Sequence, residues 1–82
     1  MYSRLYIYRM SVRNQLRRFR FEAGEMTQQE LADQVGVTRQ TILSMERGNY
    51  NPSVELALRL ARVFGTSVEN LFEIDEPKES KR

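Results

Sequence analysis

Two short helices joined through one glycine constrain this chain more than any other feature. The stretch MTQQELADQVGVTRQTILSMERG runs from Met26 to Gly48. Thr27 and Glu30 have the spacing of a capping box, in which hydroxyl and carboxylate each satisfy a backbone N–H at a helix start. Leu31, Ala32 and Val35 supply the inner face, and Gly36 breaks the helix. Thr38 caps a second helix that runs to Arg47, and Gly48 stops it. Ala32 is small where a larger side chain would meet the second helix. Val37 plugs the turn, and Ile42 and Met45 face inward beyond it.

The flanking segments read as helices as well. Val12, Leu16, Phe19 and Ala23 form one apolar stripe, which predicts a helix over Val12 to Ala23 with Ser11 as its N-cap and Gly24 as its end. After the turn NYNP, a broadly apolar helix is expected from Ser53 to Phe64, and Ser67 caps a short one over Val68 to Phe72. From Asp75 onward no apolar residue appears, so residues 75–82 are expected to be a flexible charged tail. In RLYIYRM, Leu5 and Ile7 alternate with Tyr6 and Tyr8 at the period of a strand. A lone strand is unstable. It must pair with another copy, pack on the helices or stay disordered. The expectation is an all-α fold of five helices over residues 11–74, with an extension at 1–10 and a short N-terminal strand there.

Composition narrows the chemistry. The 82 residues make one domain at most, and they include neither cysteine nor histidine. Disulfides, thiolate metal sites and the usual general base are thereby excluded. No Ser-His pair and no glycine-rich phosphate loop can be found, so neither an enzyme, a metal nor a cofactor is expected. No apolar run reaches the ~18 residues of a membrane span. The first ten residues lack the pattern of a signal peptide. A soluble, cytoplasmic protein without membrane contact is the expectation. Charge is unevenly placed. Residues 1–25 carry six arginines against two acids, the middle is balanced, and residues 65–82 carry five acids against three bases. A basic front suggests a surface that prefers phosphate.

The two helices around Gly36 have the signature of a helix-turn-helix, two helices crossing steeply about a glycine turn. With NPSVELALRLARVFG and TSVENLF, the chain resembles the phage-repressor-like helix-turn-helix domains of the Cro and lambda-repressor type, also called the xenobiotic-response-element family. The resemblance spans about residues 12–73. EAGEMTQ carries one residue more than the commoner ERGLTQ form of that family. The resemblance implies a lambda-repressor-like five-helix DNA-binding domain, usually in a homodimeric transcription regulator.

A recognition helix enters the major groove with its N-terminal residues at the base edges. Arg39 and Gln40 stand in that first turn, and both side chains can make paired contacts, to guanine and adenine respectively. Ser44 lies one turn on, and Leu43 could meet a thymine methyl. Candidate phosphate contacts are Thr27, Gln28, Thr38, Arg47, Asn49 and Tyr50, with Arg13 and Arg17 as added charge. The resemblance implies a phosphate-binding glutamine at Gln28. It also implies a partly buried ion pair between Arg20 and Glu46. For each surface residue the plain alternative is a solvated polar side chain.

The expected partner is a double-stranded DNA operator, with no small-molecule site evident. A homodimer is expected, with Leu5, Ile7, Phe72 and Ile74 as interface candidates and Leu71 beside them; for Leu71, Phe72 and Ile74 the plain alternative is the chain's own core, which suits Leu71 better than Ile74. Repression by occupancy is the preferred reading. The alternatives are an antitoxin that also binds a partner toxin, and an adaptor that has kept the fold without DNA binding.

Overall fold

Hydroxyl caps start four of the helices. The computed structural model describes residues 11–75. Within them the order is β1 (Ser11–Asn14), α1 (Leu16–Glu22), α2 (Gln28–Val35), α3 (Arg39–Glu46), α4 (Val54–Phe64), α5 (Val68–Leu71) and β2 (Phe72–Asp75). Thr27, Thr38, Ser53 and Ser67 each accept a backbone N–H three residues on, in front of α2, α3, α4 and α5. The capping box is complete, since Thr27 N–H also donates to Glu30 Oε1 at 2.8 Å.

The predicted architecture of five helices is therefore present, with a two-stranded sheet added. The sheet is antiparallel and pairs Ser11 with Asp75, Val12 with Ile74, Arg13 with Glu73 and Asn14 with Phe72. This corrects the first predicted helix. Val12 sits at helical spacing from Leu16, but it lies in β1 opposite Ile74, and α1 starts four residues later. The position before α1 is Gln15, which makes no side-chain cap bond, so Ser11 is not the N-cap. Phe72 likewise leaves the last helix: it is in extended conformation and opens β2. Asp75 closes β2 rather than beginning the tail. The strand expected around Leu5 and Ile7, and residues 76–82, lie outside the described residues.

One core unites the helices. Leu16, Leu31, Ile42, Leu60 and Leu71 are fully buried, one from each helix, with Val35 and Met45 beside them. Phe19, Met26, Val37, Val63, Phe64, Val68 and Phe72 pack around this cluster. The rings of Phe19 and Phe64 meet at 5.6 Å in a tilted arrangement, clamping α1 to α4.

The turn at Gly36 needs a residue without Cβ. Its φ is +80°, and an added Cβ would stand 3.4 Å from the Arg59 guanidinium. Arg59 reaches over from α4 and donates to Val35 O at the end of α2, where a cation also suits the helix dipole. The loop between α1 and α2 turns at Gly24 and Glu25. Both have left-handed backbones, at φ +88° and +59°.

Candidate nucleic-acid interface

The α2–turn–α3 unit presents α3 with one face buried and one open. Ile42 and Met45 are in the core. Arg39 and Gln40 are exposed in the first turn, while Leu43 and Ser44 are half-buried beside them. Four of the expected base readers thus share the outer side of one helix. Thr38 stays a cap: its Oγ1 accepts Thr41 N–H at 3.2 Å and lies 3.1 Å from the Thr41 hydroxyl. Arg47, Asn49 and Tyr50 follow on the exposed turn after α3. The Asn49 N–H donates back to Ser44 O at 2.9 Å, which holds that turn against the helix.

An acid inside a surface expected to meet phosphate would repel it. Glu46 is the sole acid between Gln34 and Val54. Arg20 of α1 grips it twice, Nε to Oε2 at 2.7 Å and Nη2 to Oε1 at 3.0 Å. The two side chains are 14% and 9% exposed. Gln28 adds a third donor, Nε2 to Oε1 at 3.1 Å. The remaining arm of Arg20 donates to Met26 O at 2.7 Å. One cluster thereby ties α1, the loop before α2, α2 itself and α3. It also neutralises the only negative charge on α3.

Gln28 is turned inward by that contact, so its amide N–H is spent on Glu46 rather than held out at the surface. The first-turn backbone N–H groups of α2 point out of the helix end and carry the positive end of its dipole. Thr27 is exposed but its hydroxyl is engaged by Glu30 N–H at 3.0 Å. Arg13 is not a free cation: it pairs with Glu73 at 3.0 Å and Asp75 at 3.7 Å across the sheet. Arg17, Arg39 and Arg47 are exposed and have no acid within ion-pair distance among the described residues.

Known proteins resemble this chain over the same helices. A family profile described as Helix-turn-helix matches residues 16–71, from the start of α1 to the end of α5. The chain belongs to the helix-turn-helix family. A protein of Archaeoglobus fulgidus named as an uncharacterized HTH-type transcriptional regulator is 51% identical over 65 residues, which are 79% of this chain and 91% of that one. The Vibrio cholerae cryptic phage CTXphi transcriptional repressor RstR is 32% identical over 62 residues, 70% of this chain and 56% of its own. A crystal structure of a hypothetical transcription factor, NHTF from Neisseria, superimposes with a TM-score of 0.62 at 29% identity, covering 79% of this chain and 71% of that one. The chain is thus a transcriptional regulator with a helix-turn-helix DNA-binding domain.

Two residues that position this helix-turn-helix escaped the reading of the sequence. Asn14 donates from Nδ2 to Met45 O at 2.7 Å and accepts the Leu16 N–H on Oδ1 at 3.1 Å. It ties the last turn of α3 to the first turn of α1. An asparagine two residues before a helix is a local capping signal, but its second partner is 31 positions away. Arg59 has no local signature at all; only the fold brings it to Val35. Among the described residues no cluster of three metal-ligating side chains occurs, and no helix is long and apolar enough to cross a membrane.

Proposed function

We propose that the protein is a sequence-specific repressor that reads the major groove of double-stranded DNA with α3 and binds as a homodimer. The observation that carries this reading is the first turn of α3, where Arg39 and Gln40 are exposed while Ile42 and Met45 anchor the helix from behind. Arg39 suits guanine and Gln40 suits adenine, each through two parallel hydrogen bonds. Ser44 and Leu43 extend the same surface by one turn. Thr27, Thr38, Asn49 and the exposed Arg47 and Tyr50 flank it and fit phosphate. The open end of α2 offers backbone N–H groups for the same purpose. Gln28 serves in this reading by holding Glu46, and through its own backbone N–H. Repression is supported by the relative named a phage transcriptional repressor.

One such module covers only ~600–1,000 Å² of protein surface on DNA. Two copies reading half-sites about 34 Å apart give both affinity and a palindromic operator. The test is selection of bound sequences from random duplex DNA, with wild type and Arg39→Ala side by side at fixed moderate salt. The expected result is an enriched palindrome in which Arg39→Ala relaxes one guanine position, by about 1–3 kcal/mol. Binding that enriches nothing and only fades as salt rises would refute the proposal, because backbone attraction alone behaves that way.

A further inference from the structure

The last turn of α3 is braced from two sides. On one side Arg20 and Gln28 hold the Glu46 carboxylate. On the other lies an open cleft, with Val12, Arg13 and Asn14 of β1 on one wall and Glu46, Arg47 and Gly48 on the other. Among the described residues a single hydrogen bond joins β1 to α3: Asn14 Nδ2 donates to Met45 O at 2.7 Å. The same carbonyl accepts the Gly48 N–H at 3.0 Å, and the carbonyl before it, Ser44 O, accepts the Asn49 N–H at 2.9 Å. The turn that carries Arg47, Asn49 and Tyr50 is therefore folded onto the carbonyl that Asn14 holds.

Asn14 is anchored from the far side of the domain. It pairs with Phe72 in the sheet, and the next backbone N–H, that of Gln15, donates to Leu71 O at 2.9 Å. Leu71 is fully buried and Phe72 packs on the core. The Asn14 Oδ1 accepts the Leu16 N–H at 3.1 Å, which turns the amide so that Nδ2 faces α3. Both ends of an amide are needed here. A carboxylate of the same shape has no proton for Met45 O, and a serine hydroxyl is too short to reach it.

We propose that Asn14 is a positioning residue for sequence discrimination: by holding Met45 O it fixes the exit turn of α3, and with it the register in which Arg39 and Gln40 meet the bases. The inference rests on the reading of α3 given above. Phosphate contacts set the register and orientation of a reading element, while base contacts carry the sequence. Paired contacts to a base tolerate little movement, because N–H···O bonds hold only between about 2.7 and 3.2 Å and weaken steeply off line. The DNA backbone offers a phosphate at every step, so a loosened turn still finds one. Freeing the turn therefore costs operator binding and spares binding to random DNA.

The experiment compares the full wild-type chain with Asn14→Ser and Asn14→Asp. Both variants keep an acceptor for the Leu16 N–H, and neither donates to Met45 O. Asn14 is half-buried and stands outside the core cluster, so both keep the core that folds the domain. Fluorescence anisotropy at fixed salt gives the affinity for two labelled duplexes of equal length, the sequence that wild type enriches from random DNA and a scrambled form of it. The ratio of the two affinities should fall roughly tenfold in both variants, the worth of one base contact. Affinity for the scrambled duplex should stay at the wild-type value in Asn14→Ser, and drop in Asn14→Asp only through the added charge. Amide hydrogen exchange of the free proteins should be faster at Gly48 and Asn49, which open locally. A domain that is merely less stable loses both affinities by one factor and keeps their ratio, so an unchanged ratio overturns the proposal even where the melting point drops. Unchanged exchange at Gly48 and Asn49 overturns it as well. In either event a wild type that still enriches a sequence leaves the reading of α3 standing. A wild type that enriches none overturns that reading and this inference together.

Discussion

Removing the Arg20 side chain should unfold this domain more readily than removing any other arginine. In Arg20→Ala three hydrogen bonds disappear, two to Glu46 and one to Met26 O. Glu46 remains, with its side chain 9% exposed and Gln28 as its one described partner. Breaking a buried pair from one side costs about 3–5 kcal/mol, because a desolvated charge is left uncompensated. An exposed pair costs about 0–1 kcal/mol. At 14% and 9% exposure this pair belongs near the lower end of the buried range, about 3 kcal/mol. For a domain of this size each kcal/mol moves the melting point by roughly 4–8 °C, so the expected drop is about 12–24 °C. Thermal melts by circular dichroism measure it, and urea unfolding with an unchanged slope shows that the lost energy is native-state energy. A loss below about 1 kcal/mol would refute the argument, since the pair would then behave as a solvated one. Unchanged stability with weaker DNA binding would move Arg20 from the scaffold to the phosphate contacts.

Two further substitutions probe positions the fold singles out. Glu25→Gly should stabilise the domain by about 0.5–1 kcal/mol, because glycine relieves a left-handed backbone that costs ~1–2 kcal/mol but is itself freer when unfolded. Urea midpoints measure this, and a loss of stability would mean that the Glu25 side chain holds the turn. Asn14→Ala should cost about 1–3 kcal/mol by leaving the Met45 carbonyl and the Leu16 N–H without their described partner. A melting point equal to wild type would show that water replaces both bonds.

What could be read from the chain alone was what nearest neighbours encode. The helix-turn-helix unit was legible because each boundary is set within four residues: hydroxyl caps at Thr27 and Thr38, a left-handed glycine at Gly36, an alternation of buried and open positions between them. The start of α1 was not, because its competing state is non-local. Val12 has the right spacing for a helix, and only a partner some sixty positions away, Ile74, makes it a strand. The same limit hid half of Asn14 and all of Arg59.

The candidate site shows a subtler case. Glu46 sits within the helix proposed to approach phosphate, where a carboxylate should repel the ligand. Periodicity places it at the end of α3 and is silent on what surrounds it. In the fold, Arg20 arrives from α1 and Gln28 from the start of α2, and between them they occupy both carboxylate oxygens. The charge that argues against DNA binding when the residues are read in line becomes the joint that fixes α3 against α1 and α2. The exposed charges left around that helix are Arg39 and Arg47. The outer side of α3 is therefore left with positive charge because its one acid is spent on holding the helix in place.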